Sequence, residues 1–479
     1  MLFNSLEFAI FFPIVAVLYF LIAQRHRVLL LLIASCVFYM AFIPAYIAIL
    51  GVTILIDYFA GMFLENAQGR RRKVLLWISI VATCLVLFVF KYFYFFTDNV
   101  IGLTGLFGWK LTGPLIHIIL PVGLSFHTFQ SLSYVVEVYN RRQKAERNFL
   151  VYATYVMFFP QLVAGPIERP QNLLHQFYER HEFDYDRITS GLKRMAWGFF
   201  KKLVIADRLA LYVNDVYAAP GQYNGLQLTL ATVFFAYQIY CDFSGYSDIA
   251  IGSARVLGFR LMENFNNPYW SRSISEFWRR WHISLSTWFR DYVYVPLGGS
   301  RVSPSRHYRN LLLTFGLSGL WHGAAWTYVF WGLLNGLYLI GGVFTKQLGD
   351  RVTQWVGLMK VGFLRSALAM ISTFSLVCVG WVIFRARSMA DASYILSNFW
   401  KNWDLNQIST PNFLLRQLPA AVLGIVFLEL VQFVHGRISL TKFLAHRPVV
   451  IRWTAYASFV VAVLLLGVYR DTQFIYFQF

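Results

Sequence analysis

Imidazole and guanidinium groups stand out in this chain because its long apolar stretches leave few places for them. One stretch reads Leu317-Ser318-Gly319-Leu320-Trp321-His322-Gly323-Ala324-Ala325-Trp326. A histidine at membrane depth, flanked by glycines that admit close approach of another group, suits a general base. With an ordinary pKa of about 6.5, such an imidazole is mostly neutral and able to accept a proton. The competing reading is a histidine that packs helices through a backbone hydrogen bond. A second stretch runs from Glu276 through Trp278, Arg279, Arg280, Trp281, His282 and Trp288 to Arg290 and Asp291, and ends in Pro296-Leu297-Gly298-Gly299. On a helix, Trp278, Trp281, Leu285 and Trp288 would share one face with arginines beside it. That pattern fits an interfacial helix with an aromatic belt. It equally fits a cytosolic mouth where Arg279, Arg280, Trp281 and Arg290 bind an anionic donor such as the phosphates of coenzyme A.

The elements that must position these groups are membrane helices. Of 479 residues, 58% are hydrophobic and 14% charged, against about 45–50% and about 25% in an ordinary soluble domain. Apolar runs cover Leu6–Ile22, Val28–Leu50, Val74–Phe96, Leu226–Tyr240, Leu364–Phe384, Pro419–Val434 and Trp453–Val468. Spanning a bilayer takes about 20 helical residues, and the runs lack the alternation of barrel strands. The expectation is an all-α, polytopic integral membrane protein. It would have about eleven membrane-crossing segments, with re-entrant or interfacial helices around a central tunnel. Met1–Glu7 has no Lys or Arg, so the first run reads as a membrane helix and not a cleaved signal peptide. Residues 1–479 read as a single domain.

Charge sets the expected orientation. Basic clusters follow alternate runs: Arg25 and Arg27, then Arg70 to Lys73, then Arg141 to Arg147. The positive-inside rule puts these in the cytosol and the first residues outside. Nine arginines lie from Arg255 to Arg309 against Glu263, Glu276 and Asp291, so this region too should face the cytosol. Arg385 and Arg387 run against the scheme, which puts them outside. The net charge of +19 fits contact with an anionic inner leaflet better than nucleic acid. Cys36, Cys84, Cys241 and Cys378 lie singly in apolar stretches, so no metal site or disulfide framework is indicated.

Other polar residues attract plainer readings. Asp242 and Asp248 should pair with nearby arginines. His127 and His117 fit structural roles, while His26, His175, His181, His307, His435 and His446 sit among basic or loop residues and should be solvated. The HxxxxD spacing from His181 to Asp186 is short enough to arise by chance, and no GxxxxGK[ST] loop occurs.

Five blocks in order carry a resemblance. They are Pro121–Gln130, Gln161–Pro170, Tyr240–Gly252, Phe277–Gly299 and Trp321-His322-Gly323. Together they resemble the membrane-bound O-acyltransferase family, and within it the bacterial polysaccharide branch that contains the alginate O-acetyltransferase membrane subunit. The likeness covers nearly the whole chain. It implies that His322 is the family's tunnel histidine and His282 its second polar position. It also implies an acyl group taken from a cytosolic acyl-CoA and passed across the membrane.

Residues 471–479 read as an aromatic extracytoplasmic tail, Asp-Thr-Gln-Phe-Ile-Tyr-Phe-Gln-Phe. The run resembles the C-terminal motif of a small protein that works with the D-alanyl-transferring member of the family, which implies an acyl relay on Tyr476. A tyrosyl ester suits a relay because a phenol, with a pKa of about 10, leaves more readily than a sugar alcohol. The alternative is an aromatic interfacial anchor.

The expected activity is O-acetyl transfer from acetyl-CoA, as co-substrate, to an extracytoplasmic polysaccharide: alginate, cellulose, peptidoglycan or another glycan. No bound cofactor or metal is expected. A separate extracytoplasmic acetyltransferase would complete the transfer, and the bacterial cytoplasmic (inner) membrane is the expected location. D-alanyl or lipid acyl transfer by the same family, and a secondary transporter, stand as alternatives.

Overall fold

The computed structural model describes residues 1–109, 111, 113, 118, 120–355, 362–435, 446–469 and 474–475. Its first helices are α1 (Leu6–Leu21), α2 (Gln24–Met40), α3 (Tyr46–Asn66), α4 (Gly69–Leu87), α5 (Phe93–Gly105), α6 (Leu124–Tyr139) and α7 (Phe149–Met157). The short α8 (Pro170–Leu173) leads to α9 (Tyr185–Phe199), α10 (Asp207–Ala218) and the 33-residue α11 (Gly225–Leu257). Then come α12 (Ile274–Arg280), α13 (Ile283–Phe289), α14 (Pro304–His322), α15 (Trp326–Trp355), α16 (Gly362–Arg385), α17 (Met389–Asn398), α18 (Leu418–His435) and α19 (Val449–Leu466). Among the described residues the one β-type pairing is an isolated bridge, Thr410 to Phe413. The all-α expectation holds.

Among the described residues, five helices are long and apolar enough to cross a bilayer: Tyr46–Asn66, Gly69–Gly105, Trp326–Phe344, Gly362–Arg385 and Val449–Leu466. Two shorter apolar helices, Leu6–Leu21 and Leu418–Val434, join them. Many apolar side chains face outward, as in α19, where Val450 is 76% and Leu465 79% exposed, while polar groups such as Asp57, Lys202 and Asp242 are buried. The run Val28–Leu50 is not one helix. It breaks between Met40 and Tyr46, where Pro44 disfavours helix in the residue before it. The run Val74–Phe96 continues through a π-helical turn, Phe88–Tyr92, between α4 and α5.

The core of the molecule is α11, most of which is buried. It packs on α9 at two glycine pairs: a Cβ on Gly198 would sit 2.6 Å from the Gly245 carbonyl oxygen, and one on Gly191 2.7 Å from that of Gly252. Close backbone contact of this kind is how helices pack without a hydrophobic drive between them. Buried ion pairs flank the crossing. Asp248 meets Arg194 at 2.9 Å, as expected of an arginine partner, and Lys201 at 2.6 Å. Asp242 pairs instead with Lys202, at 2.7 Å.

Hydrogen bonds gather the three basic clusters at one end of the helices. Arg27 donates to the His181 carbonyl at 2.5 Å, Arg72 donates to the Val138 carbonyl at 2.8 Å, and Arg147 pairs with Glu65. The Tyr178 hydroxyl donates to Glu146 at 2.7 Å and closes the group. Arg385 and Arg387 have a local explanation. They donate to Asn214 (2.8 Å) and to the Ala218 carbonyl (3.1 Å) at the C-terminal end of α10, where cations complement the helix dipole. His181 departs from its expected solvated role. It is 7% exposed, 2.9 Å from the Gln176 carbonyl, and its ring lies 4.7 Å from Phe259.

Candidate active site

α14 delivers His322. The helix ends on this residue, and Gly323 continues in an extended conformation (φ −159°). A Cβ on Gly323 would meet the Tyr328 ring at 2.1 Å, so only glycine lets the chain turn back into α15 here. One turn earlier, Gly319 and Gly332 bring the backbones of α14 and α15 into contact, with a Gly319 Cβ 2.2 Å from the Tyr328 carbonyl oxygen. His322 is 5% exposed, and its ring stands 4.9 Å from Trp321, 5.0 Å from Trp331 and 5.5 Å from Phe384. It lines a cavity of about 90 Å³ together with Lys91, Gly123, Ser125, Phe126 and Trp321.

His282 reaches the same region by a different route. The single helix expected over 276–292 is two helices: α12 stops at Arg280, and His282 takes a left-handed conformation (φ 42°, ψ 55°) before α13. That conformation is uncommon for a side-chain-bearing residue. Asn264 supports the break. Its carbonyl oxygen Oδ1 accepts from the Ser284 backbone N–H (3.2 Å) and hydroxyl (2.9 Å), and its backbone carbonyl accepts from the Ile283 N–H (2.9 Å). The same Oδ1 lies 3.1 Å from His282 Nδ1. An oxygen can only accept, so the proton belongs on Nδ1 and the lone pair on Nε2. His282 stands one ring behind the cavity lining, 6.1 Å from Phe126 and 6.4 Å from Trp321.

The four residues assigned to the donor do not form one surface. Trp281 is 1% exposed and packs 5.0 Å from Trp381 and 5.1 Å from Phe265, so it is a core ring and not part of a mouth. Arg280 pairs with Glu276 at 2.7 Å, and exposed Arg290 with Asp291 at 2.7 Å. Arg279 is exposed, 3.4 Å from the Ser275 hydroxyl. From the Arg290 side a row of rings runs inward: Tyr292 to Trp288 at 5.1 Å, Trp288 stacked on Phe129 at 3.9 Å, and Phe129 stacked on Trp321 at 5.1 Å.

Tyr476 lies outside the described residues, but its two predecessors are described and buried. The Phe474 ring sits 4.8 Å from Tyr246 and 5.9 Å from Phe243, and the Ile475 N–H donates to Asp242 Oδ2 at 2.7 Å. Phe243 also meets His282 edge-on at 4.6 Å, so one aromatic ring separates the 474–475 segment from the His282 imidazole.

Sequence reasoning missed Lys91 and Asn264. Lys91 donates to the carbonyls of Trp321 (2.5 Å) and His322 (3.2 Å). A lone lysine inside the Val74–Phe96 run was a signal for it, since ionisable groups in membrane segments default to function. Asn264 carried no such signal.

The sequence model of the membrane-bound O-acyltransferase family matches residues 138–382, a range that holds both histidines. The probable alginate O-acetylase AlgI of Pseudomonas aeruginosa is 40% identical over 89% of this chain and 81% of its own length. The chain belongs to the membrane-bound O-acyltransferase family. The peptidoglycan O-acetyltransferase of Helicobacter pylori is 34% identical, covering 83% of this chain and 79% of that protein. The teichoic acid D-alanyltransferase of Bacillus subtilis is 27% identical over 56% of this chain and 69% of its own length. This family member is therefore an acyltransferase and a multi-pass protein of the bacterial inner membrane. The transporter alternative falls away.

Proposed function

We propose that this acyltransferase takes an acetyl group from cytosolic acetyl-CoA and hands it outward for O-acetylation of a polysaccharide, with a separate extracytoplasmic acetyltransferase completing the transfer. The observation that carries the reading is buried His322 on the wall of a cavity of about 90 Å³. A cavity of about 150 Å³ takes a benzene molecule, so this one has room for a two-carbon acyl group. His322 accepts the proton of an acceptor hydroxyl, whose oxygen attacks the thioester carbonyl. The C–S bond then breaks, and the proton passes to the departing thiolate. Burial keeps water from hydrolysing the thioester.

The acceptor hydroxyl in this reading is that of Tyr476. The buried Phe474 and the Ile475–Asp242 bond support it, since the segment turns inward to the ring that borders His282. Exposed Arg279 and Arg290 remain the donor-phosphate candidates. The named relatives favour an O-acetylated glycan as final acceptor, and the D-alanyltransferase relative keeps a D-alanyl donor as the second reading.

His322→Ala should lower acetyl transfer by about 10²–10⁴-fold, the usual range for a general base, with insertion unchanged. Tyr476→Phe should stop polymer acetylation while keeping the ring. Mass analysis after incubation with acetyl-CoA should find an acetyl adduct on the peptide holding residue 476, absent from both variants. Wild-type transfer by His322→Ala at equal expression would overturn the base assignment; full polymer acetylation by Tyr476→Phe would overturn the relay.

A further inference from the structure

The π-helical turn Phe88–Tyr92 interrupts an otherwise continuous helix from Gly69 to Gly105. Such turns are rare and concentrate at functional sites because they redirect side chains at a cost in regular hydrogen bonding. Here the turn aims two neighbouring side chains at the end of α14. The Tyr92 hydroxyl donates to the Leu320 carbonyl at 3.0 Å, and the Lys91 ammonium donates to the next two carbonyls, those of Trp321 and His322. The last carbonyls of a helix have no partner within it, and these three would otherwise be left bare in the protein's interior.

We propose that Lys91 is a positioning residue for acyl transfer: its ammonium fixes the backbone of His322 and thereby the direction of the imidazole at the cavity wall. The inference rests on the assignment of His322 as base. Capping alone would account for Tyr92, whose bond stops two residues short of His322. Lys91 differs in three ways. It bonds to the carbonyl of His322 itself, it lines the same cavity as the imidazole, and it lies 5.7 Å from the ring of Trp321, which packs against that imidazole. A neutral side chain of similar length could fill the volume but could not hold both carbonyls. A base must keep within about 2.6–3.2 Å of the proton it takes, so a small swing of the helix end removes catalysis without removing binding.

The experiment compares Lys91→Met, Lys91→Arg, Lys91→Cys before and after aminoethylation, Tyr92→Phe and His322→Ala, each purified and adjusted to equal folded amount by its melting curve. Acetyl transfer is followed with acetyl-CoA as donor. Lys91→Met should lose about 10²-fold in kcat with KM for acetyl-CoA unchanged, as expected when positioning and not donor binding is lost. Aminoethylation of Lys91→Cys restores an ammonium at nearly the native reach and should recover most of that rate; Lys91→Arg should recover part. Tyr92→Phe should lower the melting temperature and leave kcat within about two-fold. Full kcat in Lys91→Met would overturn the proposal, as would equal kcat losses in Lys91→Met and Tyr92→Phe, or no recovery on aminoethylation. A fully active His322→Ala would remove the base assignment itself. An inactive His322→Ala beside an active Lys91→Met would remove only the role of Lys91.

Discussion

The amide of Asn264 satisfies four donors of the segment around His282, three on its side-chain oxygen and one on its backbone carbonyl. Asn264→Ala would leave the His282 Nδ1–H and the Ser284 N–H and hydroxyl without their acceptor. Each unsatisfied buried group costs about 1–3 kcal/mol. The variant should therefore melt well below wild type and lose acetyl transfer as fully as His282→Gln does, measured by thermal unfolding in detergent and by turnover. Turnover near wild type would mean that the tautomer of His282 is irrelevant to the reaction. Legibility at this scale followed contrast. His322 and His282 could be singled out as candidates because imidazoles stand out in such a chain, and the structure brings them to one region, His322 on the cavity wall and His282 one ring behind it; Lys91 could have been found on the same ground. Asn264 could not, because an asparagine in a polar loop looks the same whether it braces a histidine or faces solvent.

Close backbone contact decides how α14 and α15 meet. A Cβ on Gly332 would come within 2.2 Å of the Phe315 carbonyl oxygen, whereas one on Gly342, further along the same helix, would meet nothing within 4 Å. Gly332→Ala should therefore destabilise by about 1–3 kcal/mol through overpacking. Gly342→Ala should be neutral or stabilising by up to about 1 kcal/mol from helix propensity. Melting temperatures of the two variants check the pair, and equal values would contradict the contact. The helical period was readable over most apolar runs, yet the break at His282 was not. Trp278, Trp281, Leu285 and Trp288 keep a three- and four-residue spacing straight through it, and nothing local betrays the left-handed turn that Asn264 stabilises from 18 residues away. Trp281 was misread for the same reason: its aromatic ring suits a membrane belt and a packed core equally.

Across the whole molecule, charge sets the expected orientation, and packing accounts for the two arginines that run against it, Arg385 and Arg387. In a variant lacking Cys36, Cys84, Cys241 and Cys378, a cysteine placed at exposed Asn406 should react with a membrane-impermeant maleimide in intact cells. One at exposed Arg70 should react only after lysis. The reverse pattern would invert the donor side. The expected count of about eleven crossings was less legible than the fold class, because a short, buried helix such as α7 has membrane-like composition without membrane length. The cavity beside His322 also has two unlike walls. On one side stand Trp321 and His322 at the end of α14, a helix held backbone to backbone against α15 at Gly319 and Gly332; on the other lie the non-helical residues Leu120 to Gly123 and the first turn of α6. The first wall has no side chains to trade at its point of contact, so evolution or an engineer changing the size of the transferred group would work on the second. Val122 and Ser125 are the residues to vary: smaller side chains there would widen the chamber for a propionyl or aminoacyl group while the histidine stays where it is.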